Sequence, residues 1–334
     1  MKISQKSKKS RLANNNSRSL ARGLTKSFKQ LSKKDVGIAG GKGASLGEMT
    51  QVGIPVPLGF VVLASAFDQF LEETDIDVEI EARLHKLKHQ DINSVEMVSE
   101  KIRSLILSVE FPQDLKKEIA GQFKKLNSPL VAVRSSATAE DSSTTSWAGE
   151  LESYLNTTKK DLFENIKLCW GSLFTPRAIF YRFEKKMHKS KISVAVVVQR
   201  MVQSEISGIA FTVHPVTKDY DQMVIEAGYG LGEAIVGGRI TPDTYVVNKN
   251  SFAVIDKNIS QQTMMIIKKG GKGTAEAKVP REKQEKQKIS DKQIVALAKI
   301  CKGIEKHYKS PQDIEWALDK NRFYIVQSRP ITTL

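Results

Sequence analysis

Near its C-terminal end the chain reads Asp313-Ile-Glu-Trp-Ala-Leu-Asp-Lys-Asn-Arg-Phe-Tyr-Ile-Val-Gln-Ser-Arg-Pro330. Apolar residues alternate with polar ones on both sides of Asp-Lys-Asn-Arg, a turn-forming cluster. The pattern predicts two strands, Asp313–Leu318 and Phe323–Ser328, joined as a hairpin. Side chains two apart share a strand face, so Asp313 pairs in orientation with Glu315, and Gln327 with Arg329. A three-residue loop, Lys320–Arg322, sets Glu315 opposite Gln327 and Asp313 opposite Arg329, with all four polar groups on one face. Ile314, Trp316, Leu318, Tyr324 and Val326 then pack on the other. A two-residue loop sends the two polar pairs to opposite faces, because a slip of one residue turns every side chain over. In the first arrangement a carboxylate faces an amide oxygen, a hard-oxygen pair suited to Mg²⁺, and the neighbouring arginine suits a phosphate. An ordinary half-exposed hairpin with a surface ion pair is the competing reading of this stretch alone.

The 334 residues, 40% hydrophobic and 27% charged, describe a globular chain of one large domain or a few intimate subdomains. No apolar run approaches the roughly 20 residues a bilayer span needs, so no membrane is expected as a partner. Cys169 and Cys301 lie in apolar helical patterns and read as buried thiols, which places the protein in the reducing cytoplasm. The net charge of +15 is uneven: residues 1–35 hold eleven Lys and Arg against one Asp. Residues 1–25 lack any apolar period and read as a disordered basic tail without the features of a secretory signal. Nucleic acid is not expected as a partner beyond non-specific contact by that tail.

Folding is expected to begin near Phe28. Asp35-Val-Gly-Ile-Ala-Gly-Gly-Lys-Gly-Ala-Ser-Leu-Gly-Glu-Met reads as a glycine-dense loop entering a helix, able to bring backbone N–H groups and Lys42 to an anion. It is not a Walker A loop, since Val36 and Gly43 stand where a glycine and a hydroxyl residue belong. Leu130-Val-Ala-Val is a strand that opens into Arg134-Ser-Ser-Ala-Thr-Ala-Glu-Asp, a guanidinium followed by a hydroxyl-rich loop suited to a polyanion. A helical segment over 159–188, broken at Pro176, leads to a β-run from Ser193 to Arg200. Further strands follow at 206–213, 223–227, 244–247, 252–255 and 263–267, with a second glycine loop, Gly228-Tyr-Gly-Leu-Gly-Glu. Residues 268–288 read as an exposed, mobile excursion, and 290–307 as a helix before the hairpin. His85 and His89, four apart on a helix face, have no third ligand in view.

In this order, Gly-Gly-Lys-Gly, Arg-Ser-Ser-Ala-Thr-Ala-Glu-Asp, Gly-Leu-Gly-Glu, Asp-Ile-Glu-Trp and Gln-Ser-Arg-Pro resemble the N-terminal ATP-binding domain of the phosphoenolpyruvate synthase and pyruvate phosphate dikinase family. Rifamycin phosphotransferases carry a similar domain. The resemblance runs from about Phe28 to the end. It implies an α+β, ATP-grasp-like fold whose subdomains, 26–200 and 201–334, enclose ATP and Mg²⁺. Lys42, Arg134 and Arg329 are then phosphate-binding groups, and Asp313 is an acid near the reacting phosphates. Gly149 and Ser153 fall on a segment closing over the nucleotide; Gln199 and Met201 fall on the hinge that meets adenine; Glu315 and Gln327 are the Mg²⁺ ligands. Trp147 and Glu150 depart from the commoner Phe and Gln of relatives.

The activity so implied is AMP-forming transfer from ATP to a histidine, in support of pyruvate conversion to phosphoenolpyruvate. None of His85, His89, His188, His214 and His307 has the glycine-rich phosphohistidine context, and His214 reads as a loop histidine. The sequence ends directly after Gln-Ser-Arg-Pro, so the receiving histidine is expected on a separate partner. Subunits of phenylphosphate synthase or rifamycin phosphotransferase type are alternatives, and a non-catalytic ATP-binding regulator is an alternative of another class.

Overall fold

The computed structural model describes residues 23–138, 152–185, 187 and 193–332. The expected closing segment at Gly149, with Trp147, Glu150 and His188, lies outside them, as does the basic tail up to residue 22. The described chain starts earlier than Phe28: Leu24 is buried and Thr25–Ser27 forms strand β1. Helix α1 (Val36–Gln51) and strand β2 (Gly59–Val62) follow, then helices α2 (Ala64–Glu73), α3 (Asp77–His85), α4 (Ile92–Ser108) and α5 (Gln113–Leu126). Strands β3 (Val131–Ala137) and β4 (Ser153–Thr157), helices α6 (Leu162–Gly171) and α7 (Pro176–Glu184), and strand β5 (Val194–Arg200) complete the first half. Pro176 does not kink one helix; it starts α7 at the position where its missing N–H costs nothing.

Together β1, β2, β5, β3 and β4, in that spatial order, make an antiparallel sheet. One face carries Val131, Val133, Val194, Val196 and Val198 into a helical layer around Trp170. The Trp170 ring stands 4.9 to 5.4 Å from those of Phe67, Phe70 and Phe111. Burying side chains of this size contributes about 1.5–3 kcal/mol each. The opposite face, with Val61, Ala195 and Val197, packs against Ala39, Leu46 and Met49 of α1.

The second half runs β6 (Ile206–Phe211), β7 (Gln222–Tyr229), the short α8 (Glu233–Val236), β8 (Asp243–Asn248), β9 (Val254–Asn258), β10 (Met264–Lys268), β11 (Thr274–Lys278), α9 (Asp291–Tyr308), β12 (Gln312–Asp319) and β13 (Arg322–Pro330). Six of these strands form an antiparallel sheet in the order β13-β12-β6-β7-β8-β9. Ile225, Ile314, Trp316 and Ile325 of that sheet join Ile294, Leu297 and Cys301 of α9 in the same apolar cluster as α1. Helix α1 is thus the shared wall between the two sheets.

Two expectations change. The Gly-Gly-Lys-Gly segment is no free loop; α1 continues through it with one break, at Gly40 (φ 69°, ψ 170°). The hydroxyl of Ser136 on β3 repairs the break, donating to the Ala39 carbonyl at 2.9 Å and accepting from the Gly43 N–H at 3.2 Å. Only glycine fits there, since a Cβ would stand 2.2 Å from that hydroxyl oxygen. Residues 268–288 are likewise built, not a loose excursion. Strands β10 and β11 pair over five positions, and their tip reaches the first half of the chain. There Lys272 meets Asp161 at 2.8 Å, and the Asn156 side chain donates to the Gly273 carbonyl at 3.0 Å. The segment's return is pinned by a fully buried pair, Lys288 and Asp243 at 2.8 Å, with Tyr245 also donating to Asp243 at 2.7 Å.

Candidate nucleotide site

Strands β12 and β13 carry the polar quartet, and their register resolves the two loop alternatives in an unforeseen way. The turn has two residues, Lys320 and Asn321, both left-handed (φ 48° and 60°), as the right-handed twist of a tight hairpin favours. Asp319 pairs with Arg322, and Trp316 with Ile325, but the next pair is Glu315 with Gln327. Val326 is therefore an extra residue, a β-bulge. Below it Phe323 and Ile325, rather than Tyr324 and Val326, fill the core; above it Gln327 and Arg329 turn to the face of Glu315 and Asp313.

On that face the Gln327 amide nitrogen donates to the Glu315 carboxylate at 2.9 Å. Arg134 arrives from β3, in the other sheet. Its Nη2 donates to Gln327 Oε1 at 2.8 Å and to Glu315 Oε2 at 3.2 Å, while Nη1 donates to the Val326 carbonyl at 2.9 Å. The carbonyl that Arg134 reaches is that of the bulge residue itself. Two residues on, Arg329 donates to Asp313 Oδ2 from Nε at 2.9 Å and from Nη2 at 2.8 Å. Burial pushes the Asp313 carboxyl above the ordinary range, against the pull of Arg329 and with a further upward push from Glu315.

The oxygens of Glu315 and Gln327 converge on one cationic nitrogen, so they present a single point of negative potential. That donor set fits a hard divalent cation, whose remaining ligands would come from phosphate and water. Among the described residues no three His, Cys, Asp or Glu side chains gather as a metal cluster.

Lys42, half-buried, lies in α1 between the Gly40 break and Gly43, the residue held by Ser136. Strand β3 pairs Arg134 with Val197 and Ala132 with Gln199, so Gln199 shares the face of Arg134. Gln199 is buried, and its Nε2 has no hydrogen-bond partner. Ser153 stands opposite Arg134 on β4 and is exposed. Arg200 and Met201 spend their backbone N–H groups on the carbonyls of Leu58 (2.8 Å) and Leu130 (3.1 Å). What Met201 brings is its side chain, packed with Leu155 and Met264 against buried Leu231 and Ile266. Beside this apolar cluster a cavity of about 720 Å³ opens between β4 and the β10–β11 tip, lined by Ser153, Leu155, Asn156, Glu233 and Lys272. His214, by contrast, serves its own turn: its Nδ1 accepts from the N–H groups of Val216 (3.3 Å) and Thr217 (3.2 Å).

One acid was not anticipated. Glu226 of β7 pairs with Ile209, which in turn pairs with Glu315, so Glu226 occupies the same row and face as Glu315 and Gln327. Burial, with Asp313 nearby, raises its carboxyl above the ordinary range. Its sequence signal is a lone carboxylate inside the apolar strand Met223-Val-Ile-Glu-Ala.

Arg134 thus joins the first sheet to the row of Glu226, Glu315 and Gln327 in the second. Residues 36–334 match the model of the pyruvate phosphate dikinase AMP/ATP-binding domain. The chain belongs to that family. It is similar to probable phosphoenolpyruvate synthases of Methanocaldococcus jannaschii (46% identity over 91% of this chain and 26% of the relative) and Methanothermobacter thermautotrophicus (44%, over 92% and 46%). Rifampicin phosphotransferase of Bacillus subtilis is 40% identical over 91% of this chain and 35% of its own length. The domain thus spans between a quarter and a half of these relatives. A structural likeness to D-alanine–D-alanine ligase of Helicobacter pylori, with a TM-score of 0.30 and 14% identity over 65% of this chain and 46% of the ligase, is too weak to add to this. Among the described residues no helix is long and apolar enough to cross a membrane.

Proposed function

We propose that this domain binds ATP with Mg²⁺ in an ATP-grasp-like cleft between residues 26–200 and 201–334, and passes phosphate to a histidine on a separate domain. AMP is the leaving group, so the histidine nitrogen attacks the β-phosphorus, the bond from that phosphorus to the AMP oxygen breaks, and the β,γ-diphosphoryl group moves to the histidine. Water then releases the γ-phosphate as inorganic phosphate and leaves the phosphohistidine. The observation that carries this reading is the reach of Arg134 across the cleft to Glu315 and Gln327. Adenine lies on the apolar cluster of Leu155, Met201 and Met264, with the unpartnered Gln199 amide as a donor to it. Lys42, Arg134 and Arg329 align the phosphates, and Ser153, with Gly149, belongs to the segment that covers them. Glu315 and Gln327 hold Mg²⁺, which when bound offsets the charge of the phosphate oxygens. Positioning and charge neutralisation are what phosphoryl transfer asks of a protein. Asp313, raised by burial, keeps Arg329 oriented toward the nucleotide.

The similarity to phosphoenolpyruvate synthases favours pyruvate as the final acceptor, reached through the partner's phosphohistidine. The similarity to rifampicin phosphotransferase supports a second reading, in which the same half-reaction serves an antibiotic. The buried free thiols Cys169 and Cys301 suit a cytoplasmic setting. Calorimetric titration with ATP, with and without Mg²⁺, on wild type and Glu315→Ala tests the site. Mg²⁺-dependent binding that the substitution abolishes is expected; wild type that binds no nucleotide under either condition would remove the proposal.

A further inference from the structure

Nothing assigned so far explains a polar clasp on the far side of Lys42. Three residues beyond it, close to one helical turn, Ser45 donates its hydroxyl to the Ser328 carbonyl at 2.8 Å. Ser328 lies between Gln327 and Arg329, and its own hydroxyl donates to Gln312, beside Asp313, at 2.9 Å. The Tyr308 hydroxyl, at the end of α9, sits 3.3 Å from the Ser45 hydroxyl and donates to the Ser45 carbonyl at 3.3 Å. One turn further along α1, buried Glu48 meets His307 Nε2 at 2.7 Å and accepts the Lys33 N–H at 3.0 Å. Helix α1 is therefore tied twice to the second half of the chain, once at the backbone of the very segment that bears Gln327 and Arg329.

The opposite flank of Lys42 is held as well, by Ser136 across the Gly40 break. Ser136 lies two residues past Arg134 on the same strand face. Lys42 is thus suspended between a strand that carries one phosphate-facing arginine and a strand that carries the other. A hydroxyl-to-carbonyl bond at that place does little that an apolar contact would not do for stability alone, since its net worth is about 1 kcal/mol. Its geometric effect is on placement: it ties the helix turn that follows Lys42 to the strand segment that bears Arg329.

We propose that Ser45 is a positioning residue, setting Lys42 against the Gln327–Arg329 segment so that lysine and arginine grip one polyphosphate together. The proposal rests on the reading of Lys42 and Arg329 as phosphate-binding groups. The test is a double-mutant cycle on MgATP binding, followed by calorimetry. In the wild-type background Lys42→Ala weakens binding about tenfold or more; in a Ser45→Ala background the same change weakens it less than about threefold, because the ammonium is no longer held in place. Ser45→Thr, which keeps the hydroxyl, restores the full Lys42 effect. Equal Lys42→Ala losses in both backgrounds overturn the proposal and leave Ser45 a structural group. If Ser45→Ala does not fold, Ser45→Cys, which keeps the side chain's size but donates only weakly to the Ser328 carbonyl, replaces it with the same two outcomes. Wild-type protein that binds MgATP with no loss on Lys42→Ala overturns the phosphate reading itself, and the positioning proposal falls with it.

Discussion

Arg134→Met removes the one side chain seen to bridge Glu315, Gln327 and the bulge carbonyl. The ion pair it breaks is largely shielded, with the Arg134 and Glu315 side chains 11% and 19% exposed. Methionine keeps the aliphatic stem, so packing changes little and the effect isolates the guanidinium. What remains is a carboxylate without its cation, an amide oxygen without its donor and the Val326 carbonyl without its partner. Orphaning one member of a buried pair costs about 3–5 kcal/mol, and partial exposure of Glu315 places this case near 3. The melting temperature should fall by roughly 4–5 °C. Adding Glu315→Gln to Arg134→Met removes the stranded charge, so the double variant should be more stable than Arg134→Met alone by about 1–2 kcal/mol. Urea and thermal unfolding of the four proteins of this cycle, without nucleotide, measure both numbers. A loss below about 1 kcal/mol for Arg134→Met, or a double variant less stable than it, would refute the idea that Arg134 is the counter-ion of the Glu315–Gln327 pair.

Other consequences concern pH and backbone. Burial alone would raise the Glu48 carboxyl, but the Lys33 N–H and His307 outweigh it and hold it below its ordinary 4.5. Its contribution is then present above that value and lost as pH falls through the lower folded one, so Glu48→Gln should flatten the acid limb of a urea-midpoint profile below pH 4.5. Glu226 is shifted the other way, by burial and Asp313, so keeping it ionised opposes folding. Glu226→Gln should therefore raise the urea midpoint at pH 7–8, with the gain vanishing at acid pH where wild type is protonated as well. Gly40→Ala would place a methyl 2.3 Å from the Ser136 carbonyl oxygen at a left-handed φ, and should cost more than about 3 kcal/mol in thermal unfolding. Lys272 is mostly exposed, so Lys272→Ala should change stability by less than about 1 kcal/mol. It should nonetheless raise amide exchange across residues 264–278, because the β10–β11 tip loses its hold on Asp161.

Much of the site was legible because alternation and order survive in sequence. Glu315 and Gln327 do lie opposite each other and Asp313 does face Arg329, whereas Arg134, expected to open a loop, lies inside β3, which runs on to Ala137, and reaches the pair from mid-strand. The bulge was not legible. Period-two reasoning links turn length to facing and has no means of registering one surplus residue, so it posed a choice that Val326 dissolves. Gly-Gly within α1 argued for a loop by local propensity, whereas the repair comes from Ser136, 97 residues after the Ala39 it bonds. The excursion over 268–288 looked mobile because it is charged and glycine-rich, and its partner Asp161 lies 111 residues before Lys272. In each case a long-range polar bond overrode a sound local expectation. Glu226 escaped for a simpler reason: one acid in a strand says nothing about which row it joins until the neighbours are known.

The surplus residue at Val326 also separates two jobs that hairpins ordinarily bind together. Strand facing beyond the bulge is set at Val326, while the exposed Lys320–Asn321 tip closes the chain and accepts one bond, from the Gln293 amide to Asn321 Oδ1 at 2.9 Å. A spectroscopic label or a short affinity sequence can therefore be grafted at that tip without rotating Gln327 or Arg329. Deleting Val326 also leaves the tip untouched: it closes the ladder into a regular one with Gln327 still opposite Glu315, and removes only the bulge carbonyl that Arg134 Nη1 reaches. The hairpin thus offers a handle at one end and, in its middle, a one-residue control over a single Arg134 contact.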